Sequence, residues 1–496
     1  MSQKVINILK KYGPMLSGKA AHLIENEYHL SNEAARQCLS RATLPVHRLS
    51  RLSFEKRQKF IYLEDQFGTS AYYESLLESI QSSSQICWML LCAFYSQNGY
   101  VSKSILPSLV AAPIQNLKGH KLYNDLIADL KACNIIIEYS ETYWRLSDWA
   151  MSLHPVNFNR AVGLETAKKQ IVRDFSKWAA NINLVSYQSV KSMPACAEFA
   201  HFQWGLTAPS YIGPLYDCSK KKPGFIVGDV FFGQNASQDD IAFFLDKVAA
   251  VRSFKKIPSV LPVLLVDHVT HEALMLLKEQ KVVIGIIQNI FDERYVQLLH
   301  EIVRIFTNAS AIVSQRPEDV EKLFSEIARS DGRYNDLVGD MFELVAGFYY
   351  QSLGCHYLDI RRKIQNFETR KKNEIDVLAI REGQVYVVEC KAMNAAVDIE
   401  FVDRWLSETV VRIREWVKKE YSQYDKVTFQ LWSLGGFTDD AQRKLEKAAQ
   451  QTKKYTIEFY TKDQIVEMAK EKKVKPVVDI LQHMRPPLEV VDKANI

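Results

Sequence analysis

The sequence predicts a multidomain α/β protein, on three observations. At 496 residues the chain exceeds what a single core fills, so roughly three or four domains are expected. From about residue 156 onward, short apolar runs of strand length alternate with longer amphipathic stretches, the pattern of α/β units. Before that point, helical stretches followed by a short two-strand ribbon occur twice over. The divisions this suggests are 1–80, 81–155, 156–330 and 331–475, with a tail over 476–496.

Composition bounds the class. With 47% hydrophobic and 24% charged residues the chain is globular in type. It has no apolar run of about 18 residues, and its first residues, SQKVINILKKYG, are charged and amphipathic rather than signal-like. Eight scattered cysteines without a CxxC pair fit reduced thiols, so a cytoplasmic location is expected. The net charge of +5 is small for the length, so local clusters say more than the total.

In the first segment, helices are predicted near 4–11 and 18–27, and a third is opened by Ser31-Asn32-Glu33 and runs to about 42. Strands follow at 46–52 and 59–63. This order resembles a winged-helix unit. The resemblance places Arg36, Arg41 and Arg48, with Arg51, Lys56 and Arg57, on the third helix and wing, where such units contact DNA. The 81–155 segment repeats the order: an apolar helix at 86–95, a second helix, a third at 122–133, and a ribbon at 135–146. Its wing carries Glu138 and Glu141, which suits protein contact or dimer packing better than DNA.

The central segment opens on a connecting helix over 164–180. Strands are predicted at 224–232 and 259–266 with a helix at 239–254 between them, then a helix and strand over 270–287. Pro262 should demote its strand to an edge, or occupy its first position. Phe199, Phe202, Trp204 and Tyr211 read as core or interface.

The C-terminal segment carries the chemistry. A helix over 335–354 has apolar positions at Leu337, Val338, Met341, Phe342, Val345 and Phe348, with Glu343 among them. Gly339 and Gly347 flank Glu343 at four residues on either side. Two glycines cost a helix about 1 kcal/mol each, so close approach of another backbone is expected there. Residues 373–392, NEIDVLAIREGQVYVVECKA, predict two strands joined at Glu382-Gly383. A two-residue loop puts Asp376 opposite Glu389 and Glu374 opposite Lys391, all on one face. Two carboxylates across a ladder repel unless a cation lies between them, and Mg²⁺ takes such oxygen ligands. Lys391 can orient or deprotonate water, or stabilise developing charge. A helix at 399–420, a strand at 427–434, a helix at 438–450 and a strand at 455–460 complete the segment. Arg361, Arg362, Lys363, Arg370, Lys371 and Lys372 form the densest basic run, as expected beside a polyanionic substrate.

Asp376, then Glu389-Cys390-Lys391, with a helix upstream, resembles the signature of the PD-(D/E)XK nuclease superfamily. It is similar to Mrr-type restriction enzymes and archaeal Holliday junction resolvases over roughly 333–470. Ile375 stands where the signature has proline. The resemblance implies an αβββαβ restriction-endonuclease-like core, with Asp376, Glu389 and Lys391 catalytic and Glu343, Asp376 and Glu389 holding Mg²⁺ or Mn²⁺. It also implies phosphate contacts from Arg361, Arg362, Arg370, Lys371 and Lys372, a DNA substrate and a homodimer. A restriction or antiphage-defence effector, with partner proteins of such a system, follows from the Mrr-like architecture. Glu374 can be a cross-strand partner of Lys391, and Cys390 alternates to the other face as a small buried residue. Asp229 and Lys247 invite comparison with a second, degenerate and non-catalytic core, because the strand at 259–266 has no E-x-K. The alternatives are a DNA-binding or regulatory scaffold without catalysis, and an RNA-cleaving enzyme of the same fold.

Overall fold

The computed structural model describes residues 2–140, 142–151, 154–186, 189–254, 257–328, 335–365, 372–393 and 395–483. The protein is a multidomain α/β chain divided into two compact units, Met1–Val296 and Gln297–Ile496.

The first unit begins with α1 (Ser2–Tyr12), β1 (Met15–Leu16), α2 (Ser17–Tyr28), α3 (Asn32–Ser40), β2 (Val46–Leu49) and β3 (Phe60–Leu63). The strands pair in the order β1-β3-β2, all antiparallel. Val5, Ile8, Leu9, Ile24, Ala35, Cys38 and Ile61 close one small core. Ser31 starts α3 as the sequence predicts, its side chain accepting from the Ala34 N–H at 3.3 Å.

After α4 (Ser70–Ser83) the same order returns in α5 (Gln85–Ser96), β4 (Tyr100–Ser102), α6 (Tyr123–Ala132), β5 (Ile136–Glu138) and β6 (Tyr143–Leu146), paired β4-β6-β5. The helix expected between β4 and α6 is only a 3₁₀ turn, Leu106–Leu109, with Pro107 in its first turn. A short α7 (Asp148–Met151) follows.

The central sheet is built from α8 (Phe158–Asn181), β7 (Lys191–Phe199), β8 (Phe202–Ser210), β9 (Gly224–Ala236), α9 (Gln238–Arg252), β10 (Val260–Val269), α10 (His271–Glu279) and β11 (Val283–Ile286). Its order is β11-β10-β9-β8-β7, with β7, β8 and β9 antiparallel in sequence and β9, β10 and β11 parallel. The expectation for Pro262 is corrected: β10 is an interior strand and Pro262 its third residue. Its missing N–H is tolerated because β10 pairs with β11 only from Val263 onward. Phe202 and Trp204 are core, whereas Tyr211 is exposed. Short α11 (Ile287–Ile290) precedes α12 (Glu293–Thr307), along which the chain passes into the second unit.

The second unit comprises α13 (Ala309–Gln315), α14 (Pro317–Ala328), α15 (Asn335–Asp340), α16 (Phe342–Ser352), β12 (Tyr357–Gln365), β13 (Lys372–Arg381) and β14 (Gln384–Lys391). These are followed by α17 (Ile399–Arg404), α18 (Val410–Glu420), β15 (Lys426–Ser433), α19 (Asp439–Gln451), β16 (Thr456–Thr461), α20 (Lys462–Glu471) and α21 (Lys475–His483). The sheet runs β12-β13-β14-β15-β16, with β12, β13 and β14 antiparallel and β14, β15 and β16 parallel. Two expected helices differ in detail. The 335–354 stretch breaks at Met341 into α15 and α16, and 399–420 holds a π turn, Trp405–Thr409, between α17 and α18. Of the residues expected as a tail, 476–483 lie in α21, whose Val477, Ile480 and Leu481 are buried, and 484–496 lie outside the described residues.

Alternation along the strands sorts the two faces. Leu378, Ile380, Val385 and Val387 join Trp405, Ile413, Trp416 and Leu445 in one core, so α17, α18 and α19 cover that face. On the other face Tyr350 of α16 meets Tyr386 and Trp432. The glycine expectation is corrected: a Cβ on Gly347 would stand 2.5 Å from Ile360 Cδ1, so a side chain and not a backbone packs there, and one on Gly339 would be in ordinary contact, 3.6 Å from the Ala392 carbonyl oxygen.

Candidate active site

The hairpin turn is set by two left-handed residues, Glu382 (φ 51°) and Gly383 (φ 73°), as a two-residue turn of the mirror-image type requires. It fixes Arg381 opposite Gln384 and carries the predicted register as far as Val377 opposite Val388. There the ladder stops. The register expected for Asp376 and Glu389 is right, but they are not a paired couple. Beyond Val377, β13 leaves β14 and pairs only with β12. Asp376 fills the opening, its Oδ2 accepting from the Cys390 N–H at 2.7 Å. Glu374 is not opposite Lys391 in any ladder: it pairs in register with Lys363 of β12. Lys391 instead donates to Glu389 Oε1 at 2.7 Å, with its ammonium 4.6 Å from the Phe401 ring.

Asp376 continues the buried stripe of Leu378 and Ile380, and Glu389 and Lys391 continue that of Val385 and Val387, so the core face of the hairpin turns acidic where its strands part. Glu343, in the first turn of α16, adds to the same field. Burial, then Glu389 and Glu343, push the Asp376 carboxyl well above the usual carboxylate range. Burial also raises Glu374, to about 7, against the pull of Lys363 and with Glu343 and Glu389 adding to the rise. Burial works to lower the Lys391 pKa, but Glu389 and Asp376 outweigh it and hold the ammonium above its usual value. Lys391 is therefore a cation at neutral pH, suited to orienting and stabilising charge rather than to taking a proton.

The donor chemistry suits a hard divalent ion, being carboxylate oxygen throughout. Each carboxylate is engaged internally: Glu343 Oε2 accepts from Arg361 Nε at 2.5 Å, Glu389 from Lys391 and Asp376 from a backbone N–H. Among the described residues no three His, Cys, Asp or Glu side chains form a group able to hold a metal ion as they stand. Glu343, Asp376 and Glu389 fit the ion by chemistry, and would turn from these partners to reach it.

The predicted phosphate contacts separate into groups. Arg361 is buried, at 3% side-chain exposure, against Glu343 and the Phe306 ring, and does not present its charge to solvent. Arg362 is exposed and paired with Asp359 at 3.1 Å. Arg370 and Lys371 lie outside the described residues, and Lys372 is described only as backbone in β13. In the first small body Arg36 and Arg41 are exposed. Arg48 is occupied: its Nη2 donates to the carbonyls of Leu39 (2.6 Å) and Ala42 (2.8 Å) at the end of α3.

Sequence reasoning missed the Arg361–Glu343 pair, because Arg361 sits in a run of cations that looks solvated. Strand alternation gave no signal, because buried Leu358, Ile360 and Ile364 are in phase with Arg362 and not with Arg361.

No family model and no curated protein matches the chain. Among solved structures it is similar to a crystal structure of a protein of unknown function, AF1548. The identity is 18% over 25% of this chain and 66% of that one, with a TM-score of 0.18, a likeness too slight to argue from.

Proposed function

We propose that the chain is a metal-dependent endonuclease hydrolysing phosphodiester bonds in DNA, with the C-terminal sheet as a PD-(D/E)XK core and the first small body as a winged-helix DNA reader. One observation carries the reading: Glu343, Glu374, Asp376 and Glu389 share one electrostatic field beside Lys391, where β13 and β14 part. A half-buried surplus of carboxylates is costly unless a cation joins it. Glu343, Asp376 and Glu389 would hold Mg²⁺ or Mn²⁺, which supplies charge neutralisation and an acidified water. With the ion bound, Lys391 would orient the attacking water, whose proton passes to solvent, and would stabilise the negative charge that builds on the phosphoryl oxygens as the bridging oxygen leaves and takes a proton from solvent. A homodimer cutting both strands, and a restriction or antiphage-defence setting, belong to the same proposal through the resemblance to Mrr-type enzymes. A second reading, a DNA-binding scaffold without catalysis, is favoured by the internal engagement of every proposed ligand.

The test is incubation of purified protein with supercoiled plasmid, linear duplex, single-stranded DNA and RNA, each with and without Mg²⁺ or Mn²⁺. Cation-dependent cutting of duplex DNA is expected. Cutting of RNA alone moves the substrate class, and duplex binding with no cutting under any cation favours the scaffold.

A further inference from the structure

Arg361 stands out from the other cations near the carboxylate site. It occupies β12 where the ladder to β13 runs from Ile360–Val377 to Arg362–Ile375, so it sits across from Asp376. Its backbone is left-handed, at φ 61°, inside a strand. A non-glycine residue there is strained, a state that persists only where surrounding contacts impose it. Those contacts are specific: Nε donates to Glu343 Oε2 at 2.5 Å, and the guanidinium lies 4.3 Å from the Phe306 ring centre. Nη1 is buried and has no hydrogen-bond partner among the described residues. A fully buried arginine with one donor unmet is an unfavourable choice for mere packing.

We propose that Arg361 is a positioning residue of the carboxylate site. It is an internal counter-cation that holds Glu343 away from a divalent ion until the ion outcompetes it, so that completion of the ligand set is coupled to release of the Arg361–Glu343 pair. This rests on the reading of Glu343, Asp376 and Glu389 as ligands and adds the control of when Glu343 joins them. A positive charge beside a cation site weakens cation binding by simple repulsion, and a carboxylate already paired must give up that pair to ligate. Both effects vanish when the guanidinium is removed.

The test is calorimetric titration of the full chain with Mn²⁺, without nucleic acid, so that cutting plays no part in the readout. Arg361→Gln should bind Mn²⁺ about tenfold more tightly than the parent, the order expected of one partly screened charge at such range. Arg361→Lys, which keeps the charge, should stay within about threefold of the parent, and also serves if the glutamine variant folds poorly. In Arg361→Gln combined with Glu343→Gln most of the gain should be lost. An Arg361→Gln protein that binds no tighter than the parent overturns the proposal while leaving the metal reading intact. So does an undiminished gain without Glu343, which would make Arg361 a distant charge and no latch. A parent that takes up no Mn²⁺ at all sinks both the proposal and the metal reading beneath it.

Discussion

The central and C-terminal sheets share strand order and strand directions, and each carries an acid at the sixth position of its middle strand, Asp229 in β9 and Glu389 in β14. They settle that charge in opposite ways. Asp229 and Lys247 are wholly buried and joined at 2.7 Å. Lys247 also donates to the carbonyls of Ser108 and Gln203, and the Gly205 N–H gives Asp229 Oδ1 a further bond at 2.6 Å. Burial still lifts the Asp229 carboxyl to about 6 against the attraction of Lys247. By register Gly205 falls one step past the Leu206–Gly228 pair at the level of Asp229, as Asp376 falls one step past Val377–Val388 at the level of Glu389, and a Cβ on Gly205 would lie 2.9 Å from the Asp229 carboxylate oxygen. One sheet therefore closes its acid with an internal ammonium and leaves no space for a second. The other gathers four acids with Lys391, Arg361 and Lys363 and stays partly open, with Glu389 at 16% exposure. The same strand frame yields a structural clip in one case and a candidate reaction site in the other.

The largest expected difference follows from this contrast. Glu389→Ala and Lys391→Ala should each cut cleavage by roughly 10² to 10⁴ with little loss of fold, because on the proposed reading each removes a reacting group from a partly open strand end. Lys247→Met should do the reverse. It strands a buried carboxylate, at about 3–5 kcal/mol in urea unfolding of the first unit, while cleavage per folded molecule stays within about threefold. Combining Lys247→Met with Asp229→Leu should return at least half of the lost stability, since an apolar pair of similar volume can replace a buried ion pair. Catalytic loss in Lys247→Met at unchanged stability would erase the distinction between the sheets.

The response to pH comes next in size. Glu374 and Asp376 have folded-state pKa values raised above their unfolded ones, so their contribution to stability is whole below about pH 4 and fades as pH rises through about 7 and beyond. Calorimetry without divalent cations should show the melting temperature of the second unit falling between pH 5 and 8. The rise on adding Mg²⁺ or Mn²⁺ should grow over the same window, because the ligands must lose their protons to bind. A cation-induced shift independent of pH would detach these acids from any ion.

The smallest effects lie in the first small body. Arg48→Ala should cost about 1 kcal/mol, because its carbonyl contacts at the end of α3 are lost. Arg36→Glu should leave stability within about 0.5 kcal/mol. On a DNA-reading surface it should also lower duplex affinity and flatten the salt dependence by roughly 0.9 log unit per lost phosphate contact.

Local chemistry made much of this architecture legible. Glu382-Gly383 fixes a two-residue turn, the turn fixes the register, and the register brings Asp376 near Glu389. What stayed hidden depends on contacts distant in sequence. The β7–β8 hairpin was missed because β7 contains Pro194, Ala195 and Ala197, poor strand formers that neighbouring strands override. Beyond Val377 β13 keeps its pairing with β12 alone, and no pattern within the hairpin announces its parting from β14. Arg361 reads as one of six clustered cations, and only the approach of α16 and Phe306 makes it internal. Lys247 is legible in the sequence only by comparison with a degenerate nuclease core, and its burial depends on Ser108, Gln203 and Asp229 closing around it.

The central claim is that the open carboxylate site hydrolyses phosphodiesters with a divalent cation. It is tested most directly by the rate of supercoiled plasmid cutting at saturating Mn²⁺, parent against Asp376→Asn, a near-isosteric change that removes the charge. The account predicts cation-dependent nicking and linearisation by the parent and a loss of at least about 10²-fold in the variant. Cutting by Asp376→Asn within about threefold of the parent, or no cutting by the parent with any divalent cation, would contradict it.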